Sequence, residues 1–162
     1  MCSSDLLTAV GFLYIVDVGF LQVEIMAVQK TLRQKIAARV ARKRDAVFLP
    51  REFADLGGED QVLRALRTLV RDGELIRLGY GVYALAQRSR LSGQPMLAAT
   101  DGFVGAARAA LDKLGVAWQP TELEQSYRSG RSTQVPLNAV VRIKGRFARR
   151  LGYRGHLLAV ER

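Results

Sequence analysis

Residues 59–85 read EDQVLRALRTLVRDGELIRLGYGVYAL, and this stretch decides the predicted fold. At 100° per residue, the apolar side chains of its first half fall on one arc and its arginines fall on the opposite arc. The apolar arc comprises Val62, Leu63, Leu66, Leu69 and Val70, and the other arc comprises Arg64, Arg67 and Arg71. The pattern predicts an amphipathic helix over Glu59–Asp72 that ends at Gly73.

Two β-like runs follow this helix, at Glu74–Leu78 and Val82–Leu85, and Gly79-Tyr80-Gly81 lies between them. A glycine-flanked turn between β-rich runs is typical of a hairpin. Upstream, the sequence predicts three further elements. These are a helix over Lys30–Arg44, a short strand over Ala46–Leu49 and a short helix over Pro50–Leu56 that Gly57-Gly58 ends.

A short helix, a tight glycine turn, a second helix and a hairpin follow one another in the order of a winged helix-turn-helix. In such units the second helix enters the major groove of DNA. The predicted DNA-binding residues of this half are Gln61, Arg64, Arg67, Thr68 and Arg71 on the helix, and Arg77 and Tyr80 on the hairpin. The same arginine stripe is also typical of a solvated helix face. Glu59 and Asp60 suit the positive end of the helix dipole, but they would repel phosphates there.

The second half of the chain predicts a small α+β domain. Thr100-Asp101 precedes a helix that ends at Gly115, and Thr121–Glu124 fits the capping box of a second helix. The segment Ser132–Pro136 is predicted to be extended. Three β-like runs then predict a small antiparallel sheet, at Asn138–Lys144, Arg146–Leu151 and His156–Glu161.

The predicted fold class is therefore α+β, with an N-terminal winged helix-turn-helix followed by a small α+β domain with an antiparallel sheet. The predicted boundaries are 1–28 for an apolar N-terminal extension, 29–86 for the winged helix-turn-helix, 87–98 for a linker and 99–162 for the basic C-terminal domain.

The charge of the chain favours an anionic partner. Its 162 residues hold 25 Lys and Arg against 15 Asp and Glu, a formal charge of +10. No acid lies between Glu124 and Glu161, although this stretch holds eight basic residues. The predicted DNA-binding residues in it are Arg142, Lys144, Arg146, Arg149 and Arg150. Strand alternation predicts that Arg142 and Lys144 share a face, as do Arg146 and Arg150, with Arg149 opposite. A solvated sheet face is the competing interpretation.

The residue inventory argues against an enzyme. The chain has one cysteine, Cys2, and one histidine, His156, so we expect no catalytic residue, no metal site and no cofactor. Residues 79–84 formally match a dinucleotide-binding pattern, but that pattern needs a following helix, and a β-like run follows here.

Residues 1–28 carry three acids and no basic residue, so the remainder of the chain carries a net charge of +13. Asp17 near the middle argues against a membrane span, and the lack of a basic start argues against a signal peptide. We interpret residues 1–25 as an upstream extension from a misassigned start, with Met26 as the native start. A genuine additional helix or strand, or a membrane anchor, are the alternatives. We expect a cytoplasmic protein that does not act at a membrane.

Four motifs lie within the span Arg39–Leu85, namely VFLPREFADLG at 47–57, Leu66–Val70, GELIRL at 73–78 and GVYAL at 81–85. Through these residues the span resembles the N-terminal winged-helix domain of AbiEi-like type IV antitoxins. The second half is similar to the domain that follows it in related proteins, through Leu114-Gly115, STQVP at 132–136 and the basic runs after Asn138.

The resemblance implies a bacterial DNA-binding regulator that represses its own operon by binding inverted repeats in double-stranded DNA. Glu59–Asp72 would be its recognition helix and Glu74–Leu85 its wing. It also implies a neighbouring nucleotidyltransferase-like toxin, as a functional partner rather than one held by tight binding. We expect a monomer or weak dimer. Two other interpretations stay open, namely an RNA-binding protein and a basic protein-interaction module.

Overall fold

The computed structural model describes residues 30–134 and 139–161. The predicted extension over residues 1–28, with Met26, lies outside these residues. So do residues 135 and 136 of the predicted extended segment Ser132–Pro136. The described residues thus belong to the basic part of the chain that follows residue 28.

The first half follows the predicted order of elements closely. It contains α1 (Leu32–Lys43), β1 (Val47–Phe48), a 3-10 helix (Pro50–Phe53), α2 (Glu59–Arg71), β2 (Leu75–Gly79) and β3 (Val82–Arg88). The predicted helix over Glu59–Asp72 and the hairpin after it are confirmed. Local periodicity sufficed here because each helix buries one continuous apolar stripe.

The second half mixes short strands with two helices. It contains β4 (Pro95–Leu97), α3 (Gly102–Leu114), β5 (Trp118–Pro120), α4 (Glu122–Arg128), β6 (Val140–Ile143), β7 (Gly152–Tyr153), β8 (His156–Leu157) and β9 (Ala159–Glu161). The fold is α+β, as predicted. The capping box is confirmed at its first residue, because the Thr121 hydroxyl accepts a hydrogen bond from the amide of Glu124.

β3 is the central strand of a four-stranded sheet. It pairs antiparallel with β1 and β2 over residues 82–85, and with β4 over residues 86–88. Residues 87–98, predicted to be a linker, therefore form the end of β3, a turn and β4. They are ordered by backbone pairing rather than spanning open solvent.

Alternation along β3 directs successive side chains into two hydrophobic cores. Tyr83 faces the first core, which α1, α2 and the 3-10 helix complete. Val82 and Ala84 face the second core, to which Leu111 of α3 and Val141 of β6 also belong. Residues 32–134 and 139–161 belong to one compact unit, so the two predicted halves share a core across this sheet.

The predicted C-terminal antiparallel sheet is wrong in two respects. In the sheet ordered β5-β6-β9, β5 pairs antiparallel with β6, but β9 pairs parallel with β6. Arg146–Leu151 is not a strand. Phe147 and Leu151 anchor this segment to the second core, and its backbone approaches the β2–β3 turn instead of pairing with a neighbouring strand.

Candidate nucleic-acid interface

The solvent-facing side of α2 carries unpaired arginines. Val62, Leu66 and Leu69 fix the helix on the first core, with 1% exposure or less. Arg64, Arg67 and Arg71 are exposed on the other side. Within the described part of the chain, their side chains form no ion pair or hydrogen bond. Their donors are therefore available to an external acceptor such as a phosphate or a guanine edge.

The two other predicted residues of α2 differ in availability. Gln61 is exposed. Thr68 is partly buried, and its hydroxyl donates to the Arg64 carbonyl at 3.1 Å. Its proton is thus committed within the helix, which leaves the hydroxyl oxygen as an acceptor only. Glu59 and Asp60 are exposed in the first turn.

The β2–β3 turn presents the second group of predicted residues. Tyr80 is 79% exposed at the turn, and Arg77 is exposed with its Nε atom 3.3 Å from the Gly79 carbonyl oxygen. Gly81 has φ +66°, a left-handed conformation that favours glycine and closes this tight turn. The tyrosine ring is thereby held away from both cores.

Residues 146–150 lie against this turn. The Nη1 atom of Arg149 is 3.3 Å from the Tyr80 carbonyl oxygen. A Cβ atom built on Gly79 would lie 2.5 Å from the Arg150 carbonyl oxygen, so the two backbones approach closely only because residue 79 is glycine. The fold thus places Arg149 and the backbone of Arg150, from the second half of the sequence, against the hairpin that carries Arg77 and Tyr80.

The interpretation of the basic residues after Glu124 as a surface without acidic partners is wrong for Arg142. Its guanidinium lies 3.4 Å from a Glu122 oxygen and 3.9 Å from a Glu161 oxygen. Arg128 likewise pairs with Glu124 at 3.1 Å. Glu122 and Glu161 lie on either side of the acid-free stretch in sequence and meet Arg142 of β6 in the fold, whereas Arg128 and Glu124 are four residues apart on α4.

Lys144 and Arg146 are exposed and unpaired among the described residues. The predicted alternation holds only within β6: Val141 and Ile143 are buried, so Arg142 lies on the opposite side, and the strand ends before Lys144. It fails for Arg146, Arg149 and Arg150, because no strand is present there to impose it.

One ionic cluster among the described residues does not follow from the sequence. Lys113 of α3 lies 2.9 Å from carboxylate oxygens of both Glu52 and Asp45, and Lys43 lies 3.0 Å from Glu52. Arg51 donates to the Lys113 carbonyl. Lys113 lies 68 and 61 residues from Asp45 and Glu52 in the chain, so only the fold reveals the cluster.

Residues 30–134 and 139–161 contain no group of three His, Cys, Asp or Glu side chains placed to hold a metal ion. His156 lies exposed in β8. Within the same residues, every helix is too short or too polar to cross a lipid bilayer.

The described residues form an α+β fold. Exposed arginines without a carboxylate partner among these residues lie on α2 and around the β2–β3 turn. Residues 32–154 match the family DUF6088, described as a family of unknown function, and the chain belongs to that family. No curated protein and no solved structure matches the chain.

Proposed function

We propose that this protein is a DNA-binding transcriptional regulator with a winged helix-turn-helix, in which α2 is the recognition helix and the β2–β3 hairpin is the wing. The observation that carries the proposal is the unpaired state of Arg64, Arg67 and Arg71 on an exposed helix face. The opposite face of the same helix is packed into the first core, so the arginines are held on a rigid support.

The chemistry of arginine suits this role. The guanidinium fork pairs bidentately with a guanine edge or with phosphate oxygens, and an α-helix fits the width of the major groove. Gln61 adds a side-chain amide that can read a base edge, and the Thr68 oxygen adds an acceptor. Glu59 and Asp60 repel phosphates, so we expect the phosphate contacts of α2 to begin at Arg64.

Within this proposal, the resemblance to AbiEi-like antitoxins specifies the target. The protein would repress its own two-gene operon by binding inverted repeats upstream of it. Two copies would meet on such a palindromic site even if the free protein is a monomer or weak dimer. The neighbouring toxin would be a functional partner, and both would act in the cytoplasm.

The test compares three ligands of equal length: the upstream duplex of the protein's own operon, a scrambled duplex and a structured RNA. Binding is measured at several salt concentrations, about 50 to 200 mM, over which phosphate contacts weaken strongly. We expect a preference of at least about 10³-fold for the upstream duplex. Equal affinity for the scrambled duplex contradicts the operator proposal, and tighter RNA binding favours the RNA-binding alternative.

Two double variants sharpen the test. R64A/R67A removes two arginines from α2 and is expected to abolish the preference for the upstream duplex. K35A/R42A removes two exposed cations from α1, which also have no partner among the described residues, and is expected to keep that preference. A preference that survives R64A/R67A means that α2 does not read the operator.

A further inference from the structure

We infer that the β2–β3 turn and the segment 146–150 form a single surface that binds the phosphate backbone of duplex DNA. We call it the tip surface, and it comprises Arg77, Tyr80, Arg149 and Arg150. The inference rests on the proposed function and extends it, because it assigns part of the C-terminal half to the wing rather than to a separate basic sheet.

The first support is the close packing of the two segments. The Arg149 guanidinium donates to the Tyr80 carbonyl, and the Arg150 carbonyl lies where a side chain on Gly79 would begin. Leu151 is 1% exposed in the second core and fixes the end of the segment. The arginines are therefore held beside the turn by packed neighbours on both sides.

The second support is uncompensated charge. Arg77, Arg149 and Arg150 are exposed, and none of them has a carboxylate partner within the described residues. The hydrogen bonds of Arg77 and Arg149 go to backbone carbonyls, which leave the positive charge intact. Three such charges around one turn form a local site for an anion that carries several negative groups, such as a run of phosphates.

The third support is Tyr80 itself. The residue is 79% exposed, and its carbonyl accepts from Arg149. An exposed tyrosine presents both an apolar ring and a hydroxyl, so it can pack on a sugar while the arginines hold the adjacent phosphates. This combination favours a nucleic acid over an acidic protein as the partner.

The test uses the full chain and a matched pair of double variants. R149A/R150A removes two charges from the tip surface. R88A/R90A removes two exposed arginines without a partner among the described residues. Arg88 ends β3, about 20 Å from Val82 at 3.3 Å per strand residue, and Arg90 lies in the turn that follows. Both are titrated with the upstream duplex and with the scrambled duplex at several salt concentrations, and Tm is measured for each.

For R149A/R150A we expect the slope of log K against log salt to fall by about two, since each lost phosphate contact lowers it by about one. The loss of affinity is expected to be equal on both duplexes, because phosphate contacts carry no sequence information. R88A/R90A is expected to keep the wild-type slope. An unchanged slope in R149A/R150A, or an equal drop in both variants, overturns the inference.

A charge-neutral variant tests the packing. Gly79→Ala places a methyl group against the Arg150 carbonyl and must displace the segment from the turn. We expect Gly79→Ala to lower affinity for both duplexes several-fold. Tyr80→Ala, at an exposed site, is expected to lower affinity for both duplexes several-fold and to keep the wild-type Tm. Wild-type affinity in both variants overturns the inference.

The outcomes separate this inference from the proposed function. If R64A/R67A loses the operator preference while R149A/R150A binds like the wild type, the function stands and the tip surface fails. If R149A/R150A weakens binding and R64A/R67A does not, the tip surface stands and α2 is not the reader. Failure of the wild type to bind either duplex, or equal affinity for polyglutamate, overturns both.

Discussion

The Nζ atom of Lys113 in α3 lies 2.9 Å from the Oε1 atom of Glu52 in the 3-10 helix, and this ion pair joins the two halves of the chain. The Glu52 side chain is 15% exposed and the Lys113 side chain 25%. Glu52 also accepts hydrogen bonds from Lys43 and from the amide of Leu49. The position of α3 is therefore coupled to the elements that precede α2.

We expect Glu52→Gln to destabilise the protein in a pH-dependent manner. Burial raises the pKa of Glu52, but hydrogen bonds from Lys113, the Leu49 amide and Lys43 outweigh it and hold the pKa below its ordinary value. A lowered pKa means that the carboxylate stabilises the fold above the unfolded-state pKa. That contribution is lost as the pH falls through the pKa of the folded state. Urea unfolding at pH 7 should show a loss of about 1.5–3 kcal/mol.

The difference between Glu52→Gln and wild type should shrink below about pH 4, where the unfolded-state carboxylate is protonated. Glu74→Gln is the control, because the Glu74 side chain is 46% exposed and its pair with Arg33 lies at the surface. It should cost about 0–1 kcal/mol. Equal losses of unfolding free energy in the two variants would mean that the cluster around Lys113 stabilises the fold no more than the surface pair does.

We expect Leu111→Ala to destabilise both halves together. Leu111 is fully buried in the second core, beside side chains from β1, β3 and β6. Removing its side chain should lower the free energy of unfolding by about 2–5 kcal/mol. Fluorescence of Trp118, the one tryptophan of the sequence, and amide protection in α2 report on the separate halves. The shared core predicts that the unfolding transitions reported by the two probes coincide. Leu91→Ala, at a fully exposed residue, serves as the control.

We expect Arg67→Ala to weaken binding of the upstream duplex, and Arg67→Lys to show how the residue acts. If Arg67 pairs with a guanine, the alanine variant should lose about 1–3 kcal/mol on the cognate site, and lysine should restore little, because it lacks the planar fork. If Arg67 contacts a phosphate, lysine should restore most of the affinity. Wild-type binding by the alanine variant would exclude both roles.

We expect Thr121→Ala to cost about 1 kcal/mol of stability, because it removes the side-chain cap of α4. Thr121 is 8% exposed, and its side-chain hydroxyl accepts from the Glu124 amide. Thr133→Ala, at an exposed threonine whose side chain forms no hydrogen bond within the described residues, is the control. Thermal unfolding that does not distinguish the two variants would show that the cap is not needed.

The sequence predicts elements that depend on local contacts, and it fails for those that depend on contacts between distant segments. α2 and the β2–β3 hairpin were predicted correctly because a stripe of apolar residues and a glycine-flanked turn lie within a few residues of each other. The parallel pairing of β6 with β9 and the irregular course of 146–151 were missed. Both depend on contacts between segments distant in sequence, about which alternation within one segment carries no information.

The sequence by itself determined the helices, the hairpin and the excess of positive charge, because periodicity and composition are local properties. Only the tertiary structure decided which charges are compensated. Arg142, in a stretch without acids, is paired with Glu122 and Glu161, whereas Arg149 lies beside Tyr80 with no carboxylate partner in the described residues. The physical reason is that electrostatic attraction acts across space, so the charge partners of a residue are set by the folded neighbours and not by the sequence around it.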